Sequence, residues 1–166
     1  MNSRRTFLAG SAAIFGAATV GGFTASNASE GFEISRTDAE WRNLLSPGQF
    51  AVLRDEDTER PFSNSLAGDS SPLLAEHRDG TYHCAGCNLP VYSSATKFES
   101  GTGWPSFWDV IEGNVSFKSD NTLFSRRTEE HCRRCGGHFG HVFNDGPNPT
   151  GKRHCINGLA LTFSAA

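Results

Sequence analysis

The sequence has no excess of basic residues, no long apolar run and almost no methionine. Its 166 residues include 15 Lys and Arg against 18 Asp and Glu, and the single methionine is Met1. Nonspecific binding of nucleic acid needs a basic surface, so the acidic balance argues against that class of protein. The apolar stretch at 8–23 is short and rich in Gly and Ala, which argues against a permanent membrane span. The length suits one domain with its own core.

The N-terminal segment has the pattern of an export signal. Arg4 and Arg5 lie in a twin-arginine motif, and Ser26-Asn27-Ala28 places small residues where a signal peptidase cleaves. We therefore expect residues 1–28 to be a twin-arginine signal peptide, residues 29–166 to form the mature domain, and the protein to be periplasmic. The mature domain would keep 13 basic and 18 acidic residues, a net charge of −5. The alternative is a disordered N-terminus or an uncleaved anchor.

Local patterns predict a mainly β domain with short N-terminal helices. Thr37-Asp38-Ala39-Glu40 is a capping box that precedes helically spaced apolar residues, and Ser46-Pro47 is typical of a second helix start. From Tyr82 onward, short aromatic and β-branched runs are separated by turn residues, a pattern typical of antiparallel strands. These runs are Pro90-Val91-Tyr92, Phe107-Trp108-Asp109-Val110-Ile111, Val115-Ser116-Phe117 and Thr122-Leu123-Phe124.

Four of the five cysteines form two CxxC pairs, Cys84 with Cys87 and Cys132 with Cys135. Two such turns can close a tetrahedral site of four thiolates, so we expect one zinc ion. A site filled by four sulfurs has no open position, and the ion would therefore be structural. The alternative is two local disulfides or a redox pair, which an oxidising compartment would favour.

The fifth cysteine, Cys155, has no CxxC partner. In a strand, Arg153, Cys155 and Asn157 would share one face and His154 the other. The Arg153 guanidinium would favour the thiolate, and Asn157 could hold a polar atom of a substrate. An inert cysteine buried in a C-terminal strand fits this segment equally well.

Two further segments favour a functional thiol. His138 and His141 follow the second CxxC pair, where a four-sulfur zinc site has no need of them. Trp104 lies on a loop shaped by Gly103 and Pro105, where an indole can form one wall of a pocket for a methyl or thioether group. A core tryptophan is the alternative.

Together these segments resemble the B-type methionine sulfoxide reductases, which reduce the R epimer of methionine sulfoxide. The similarity extends from about Trp41 to Phe163. The shared motifs are Leu45-Ser46-Pro47, Thr58-Glu59-Arg60-Pro61-Phe62, the two CxxC pairs, Gly103-Trp104-Pro105-Ser106-Phe107, Gly137-His138-Phe139-Gly140-His141-Val142-Phe143, Asp145-Gly146-Pro147 and Arg153-His154-Cys155-Ile156-Asn157.

The resemblance implies two antiparallel sheets with a structural zinc, and it assigns roles to individual residues. Cys155 corresponds to the nucleophile and Trp104 to the residue that receives the substrate's methyl group. The remaining assignments are His138, His141 and Asn157 around the sulfoxide, with Arg153 and Asp145 as supporting residues. The implied reaction leaves Cys155 as a sulfenic acid after His141 or His138 protonates the sulfoxide oxygen.

The chain departs from the family pattern at two positions. Many members have a resolving cysteine where this chain has Thr102, so we expect a one-cysteine cycle completed by a thioredoxin-like protein or another external thiol. Members usually have an aromatic residue at His154, and the effect of this change is left open. The expected partners are oxidised proteins that carry methionine R-sulfoxide, and the expected state is a monomer. The rival interpretations are a non-catalytic, zinc-bearing β binding module and a thiol peroxidase.

Overall fold

The computed structural model describes residues 31–121 and 126–166. The predicted export signal lies outside these residues, and so does the predicted strand at 122–124. No helix in the described segments is long and apolar enough to cross a membrane.

Both predicted helices are present, and each begins with a capping box. Helix α1 spans Asp38–Leu44, where Thr37 and Glu40 cap each other's main-chain N–H groups. Helix α2 spans Pro47–Asp55 and has the same arrangement between Ser46 and Gln49. These reciprocal bonds satisfy N–H groups that a helix start would otherwise leave unpaired, which is why such short helices form.

The rest of the described chain is mainly β, as predicted, and all of its strand pairs are antiparallel. The strands are β1 (Ser65–Leu66), β2 (Asp69–Ser70), β3 (Gly80–Cys84), β4 (Pro90–Ser93), β5 (Lys97–Phe98), β6 (Ser106–Phe107), β7 (Val115–Asp120), β8 (Arg127–Cys132), β9 (His138–Phe143), β10 (Arg153–Ile156) and β11 (Leu161–Ala165). Short 3-10 helices cover Leu73–Ala75, Ser94–Thr96 and Gly158–Ala160. A six-stranded sheet has the order β5-β6-β10-β9-β8-β7, and a three-stranded sheet has the order β11-β3-β4. Strands β1 and β2 form a separate hairpin that the sequence did not predict.

The two larger sheets pack through aromatic side chains. Tyr92 of β4 stacks on Phe107 of β6 with ring centroids 4.4 Å apart, and Tyr82 of β3 meets the same ring edge-on at 4.9 Å. Phe139 of β9 lies edge-on to Tyr92 at 6.2 Å. All four side chains are fully buried, so this contact forms the centre of the core.

One predicted strand is shorter than expected. Only Ser106–Phe107 of the run through Ile111 pairs as a strand, and the chain then turns away. Trp108 N–H still donates to Thr96 O at 2.9 Å, and Ile111 N–H donates to Val91 O at 2.9 Å. The main chain of this run therefore forms hydrogen bonds to two different segments, outside regular strand pairing.

The N-terminal helices cover the cysteine pairs. The Arg54 guanidinium donates to the carbonyl oxygen of Cys135 at 3.0 Å and lies 5.2 Å from the centre of the Trp41 ring. Trp41 is buried, and its ring edge lies near Gly86 between the first two cysteines. The helices thus fix the ends of β3 and β8, where the CxxC turns begin.

Candidate active site

The four cysteines of the CxxC pairs form one cluster. Their sulfur atoms all lie within 4.8 Å of one another. The Cys84 and Cys135 sulfurs are 3.6 Å apart, and those of Cys87 and Cys132 are 3.4 Å apart. A tetrahedral zinc ion with bonds of about 2.3 Å requires sulfur separations of roughly 3.8 Å, so this cluster fits the ion closely.

The disulfide alternative does not agree with these positions. All five cysteines belong to the described part of the chain, and all five are free. The sulfur pairs at 3.6 and 3.4 Å join cysteines of different CxxC turns, whereas a local disulfide would join cysteines of the same turn. The cluster therefore links the three-stranded sheet to the six-stranded sheet.

Cys155 lies in the middle of the six-stranded sheet. Strand β10 pairs with β6 on one side and β9 on the other, which places Cys155 opposite Ser106 and His141. Its neighbours in sequence, His154 and Ile156, are buried on the other face, as the alternation of the strand predicted. Cys155 itself is only partly buried, so its sulfur is available from one side.

The sulfur faces a small cavity of about 140 Å³. The residues that line it come from five separate parts of the chain: Thr58, Trp104, Arg127, Gly140, His141, Phe143, Cys155 and Asn157. A cavity of this size suits a few heavy atoms. It places an aromatic wall, a thiol and an imidazole around one small ligand group.

Trp104 is a cavity wall and not a core residue. Its Nε1 donates to the carbonyl oxygen of Glu59 at 3.1 Å, which satisfies the polar edge of the indole and fixes the ring plane. The side chain remains partly exposed. An indole held in this way offers its apolar face to a methyl or thioether group.

His141 is the histidine that reaches the cavity. Its Nε2 lies 2.9 Å from Oδ2 of Asp120, and the Arg127 guanidinium donates to the same oxygen at 2.6 Å. Burial lowers the pKa of His141, although the bond to Asp120 acts in the opposite direction. The contact between Asp120 and Nε2 fixes the orientation of the imidazole at the cavity.

His138 lies behind His141 and does not line the cavity. It is 3% exposed, and its ring centre lies 5.6 Å from that of His141. Its Nδ1 is 3.0 Å from Oε1 of Glu129, an ion-pair separation without the alignment of a hydrogen bond. The structure therefore places His141 at the cavity and His138 in a supporting position.

Asn157 lines the cavity, but its amide is already engaged. Oδ1 accepts from the N–H of Glu59 at 3.1 Å, and Nδ2 donates to the carbonyl oxygen of Phe139 at 2.9 Å. One N–H of Nδ2 remains for a ligand. Besides its predicted contact with a substrate, Asn157 therefore links its own segment to those of Glu59 and Phe139.

Arg153 and Asp145, which the resemblance implied as supporting residues, form an ion pair with each other. Nε and Nη2 of Arg153 each donate to Asp145 at 2.9 Å, a bidentate arrangement, and the guanidinium lies 4.4 Å from the centre of the Phe143 ring.

Burial raises the pKa of Cys155, and the opposing influence of Thr102 and Arg153 offsets only part of that rise. The predicted stabilisation of the thiolate by Arg153 has the expected direction, but desolvation outweighs it.

The chain matches the SelR domain model over residues 45–165. It is 50% identical to the peptide methionine sulfoxide reductase MsrB of Methanosarcina barkeri over 78% of this chain and 87% of that protein. The protein of the same name from Methanosarcina mazei is 48% identical, over 80% of this chain and 90% of that protein. The chain belongs to the SelR, or MsrB, family.

One solved structure is also similar, the crystal structure of the Mis18 'Yippee-like' domain. It is 19% identical with a TM-score of 0.42, and covers 54% of this chain and 98% of that chain. At that level of similarity it carries no functional argument.

Thr102 occupies the position at which the resemblance implied a resolving cysteine in other members of the family. Its hydroxyl oxygen lies 3.8 Å from the Cys155 sulfur. The side chain at position 102 therefore faces the thiol directly, although it cannot form a disulfide with it.

His154 of this MsrB chain belongs to a buried polar group. Its Nδ1 lies 2.8 Å from Oε1 of Glu130, and the Tyr92 hydroxyl donates to Oε2 of the same carboxylate at 2.9 Å. Glu130 and Tyr92 are fully buried, and His154 is 5% exposed. Because a buried carboxylate requires hydrogen-bond partners, His154 and the Tyr92 hydroxyl satisfy Glu130 inside the core, on the side of β10 opposite Cys155.

Sequence reasoning gave no role to Glu59, which it named only as part of a shared motif. Glu59 is 1% exposed, and its carboxylate accepts from the N–H groups of Gly158 and Leu159 at 2.5 and 3.0 Å. Desolvation raises the pKa of Glu59, although the bonds to these N–H groups act in the opposite direction. Its main chain also contacts Trp104 and Asn157, so Glu59 positions both residues. The only available signal was its place in a motif shared with the family.

Proposed function

We propose that this chain reduces methionine R-sulfoxide in oxidised proteins back to methionine. The observation that carries the proposal is the cavity in which the Cys155 thiol, the Trp104 indole and the His141 imidazole meet. As a member of the MsrB family, the chain is a peptide-methionine (R)-S-oxide reductase. The proposed reaction proceeds in two steps, in which residues of this chain have specific roles.

The first step transfers the sulfoxide oxygen to Cys155. The substrate's methyl group rests on Trp104, and the Cys155 thiolate attacks the sulfoxide sulfur while His141 gives a proton to the oxygen. The protonated oxygen then passes to the Cys155 sulfur: a new sulfur–oxygen bond forms there while the bond between the two sulfurs and the substrate's own sulfur–oxygen bond break. Methionine leaves, and Cys155 becomes a sulfenic acid. The substrate sulfur gains two electrons and the cysteine sulfur loses two.

The thiol must lose its proton before it attacks. Since burial raises the pKa of Cys155 in the empty site, most of the free protein holds the thiol form at neutral pH. We infer that the proton passes from the sulfur to the bound sulfoxide by way of His141, whose lowered pKa leaves it free to accept one. Arg153 then stabilises the negative sulfur as it forms.

The second step regenerates the thiol with an external reductant. A thiol attacks the sulfenic acid, water leaves, and a mixed disulfide forms; a second thiol then releases Cys155. The proposed one-cysteine cycle rests on Thr102, since the other four sulfurs lie in the cluster. A thioredoxin-like protein or another dithiol suits both attacks.

The test uses a peptide with one methionine sulfoxide, prepared as separate R and S epimers. The protein is expected to reduce the R epimer in the presence of a dithiol, and Cys155→Ser is expected to lose all turnover while it keeps one zinc ion. Reduction of the S epimer alone, or full activity in the serine variant, would contradict the assignment. Consumption of peroxide without reduction of sulfoxide would indicate a thiol peroxidase.

We also propose that the protein is exported by the twin-arginine route and acts in the periplasm as a monomer. The support is the sequence pattern around Arg4 and Arg5 and the small residues that end at Ala28. N-terminal sequencing of the protein from a periplasmic fraction, with its mass in solution, tests both statements.

A further inference from the structure

Phe62 is an exposed aromatic side chain on a loop that is otherwise firmly held. It is 69% exposed, the highest value among the large apolar residues of the described chain that stand out from the surface; the others are Leu44 at 58% and Phe117 at 48%. Its φ of +65° is a conformation that favours glycine and that a bulky residue rarely adopts. The fold therefore keeps Phe62 in a costly conformation without burying its ring.

The bonds that hold this loop connect it to the active site. The N–H of Phe62 donates to the carbonyl oxygen of Gly103 at 2.8 Å. The Asn64 side chain donates to the same oxygen at 3.2 Å and to the Glu59 carboxylate at 2.9 Å. The carbonyl oxygen of Glu59 in turn accepts from Trp104.

The Phe62 ring lies directly against the main chain that precedes Trp104. A Cβ atom added to Gly103 would lie 2.9 Å from Cδ2 of Phe62 and 2.7 Å from its main-chain nitrogen. Gly103 is therefore required for this close approach. The Phe62 ring thus packs on the residue that directly precedes Trp104, although Phe62 itself does not line the cavity.

The main chain of a protein substrate must lie outside the cavity. When a methionine sulfoxide side chain enters a cavity of about 140 Å³, its own main chain stays outside at the mouth. An extended chain advances about 3.3 Å per residue, so residues one to three positions away lie on the surface around the cavity, and Phe62 is an exposed apolar side chain on the loop that contacts Gly103, next to Trp104. Methionine is usually a buried residue, and its neighbours in an oxidised, partly unfolded segment are often apolar.

We propose that Phe62 is a docking residue for the polypeptide that carries the methionine sulfoxide, and that it packs on an apolar side chain near the oxidised residue. This inference rests on the proposed reduction of methionine sulfoxide and names the form of substrate that the site prefers: an extended segment with an apolar neighbour. Phe62 contributes to binding and does not take part in the reaction.

The test compares three substrates, each as the R sulfoxide: N-acetylmethionine sulfoxide amide, a short peptide with leucine near the sulfoxide, and the same peptide with serine in place of leucine. For the wild type, kcat/KM is expected to be highest with the leucine peptide. Phe62→Asn removes the ring but keeps a residue that tolerates positive φ. It is expected to lower kcat/KM about tenfold for the leucine peptide, through KM, and to leave the amide unaffected.

Two variants serve as controls. Phe62→Leu keeps an apolar surface and should recover most of the loss, whereas Leu44→Ser removes a different exposed apolar side chain and should have no effect. Equal loss on all three substrates would overturn the proposal and make Phe62 a support for Trp104. Equal kcat/KM of the wild type for the leucine and serine peptides would also overturn it, even if Phe62→Asn failed to fold.

The choice of reductant and the activity of the wild type distinguish failure of docking from failure of the reaction. A defect that appears only when a thioredoxin-like protein replaces a small dithiol would show that Phe62 docks the reductant instead, and would overturn the proposal. A wild type that reduces the amide but shows no preference between the peptides would contradict the docking inference alone. A wild type inactive on all three substrates would remove the proposed function itself.

Discussion

The reactivity of Cys155 depends on where its thiol lies, because the thiol itself is not strongly activated. Burial raises the pKa of the sulfur despite Arg153 and the Thr102 hydroxyl, so the residue is not poised to react with any electrophile that approaches. Under the proposed mechanism, its selectivity arises from the ligand, which must fit against Trp104 and exchange a proton with His141. The sequence could indicate Cys155 by its lack of a CxxC partner. It could not show that Asp120 and Glu59 hold its neighbours, because those contacts join residues far apart in the chain.

Replacement of Thr102 by cysteine is expected to change the catalytic cycle. The hydroxyl of Thr102 is 3.8 Å from the Cys155 sulfur, and a disulfide needs about 2 Å, so a small movement of the loop would allow the bond to form. After one equivalent of substrate without reductant, mass spectrometry should find sulfenic acid in the wild type and in Thr102→Ser, and an internal disulfide in Thr102→Cys. A disulfide in the wild type would refute the one-cysteine cycle.

Strand β10 presents the Cys155 thiol on one face and the buried His154 on the other. The sequence predicted this alternation correctly, and it predicted both helices because capping boxes are local signals. It could not predict where the run after Phe107 leaves the sheet, since that depends on bonds to distant segments around Thr96 and Val91. Nor could it pair His154 with Glu130, which lies two strands away.

The His154–Glu130 pair is expected to show strong energetic coupling. His154→Phe alone leaves a carboxylate buried without its main partner, and should reduce the free energy of unfolding by about 3–5 kcal/mol. The double variant His154→Phe with Glu130→Val should be less destabilised than the sum of the two single changes, by about 1–3 kcal/mol. Urea denaturation of all four proteins measures this, in a Tyr92→Phe background so that no hydroxyl loses its partner. Additive effects would contradict the buried pair.

At the scale of the whole molecule, the cysteine cluster and the aromatic core join the same two sheets in different ways. The core packs Tyr82 and Tyr92 on Phe107, whereas the cluster joins the end of β3 to the end of β8. Residues from α1 and α2 complete the cover over the cluster. The active-site cavity is built on β9, β10 and the loop around Trp104, and none of its lining residues is a cluster cysteine.

Zinc removal is therefore expected to destabilise the protein as a whole. Tetrahedral coordination by four thiolates provides folding free energy, and its loss leaves four sulfurs crowded together. A loss of even 3 kcal/mol would lower Tm by about 10 °C for a domain of this size. Thermal melting followed by circular dichroism, with and without a strong chelator, measures the shift, and a metal-sensitive dye should count one zinc ion per chain.

Cys155→Ser is the matched control and should keep both the zinc content and the Tm, whereas Cys87→Ser should lower both. If chelation left Tm unchanged, or if Cys155→Ser lost its metal, the division between a structural cluster and a separate reactive thiol would be wrong.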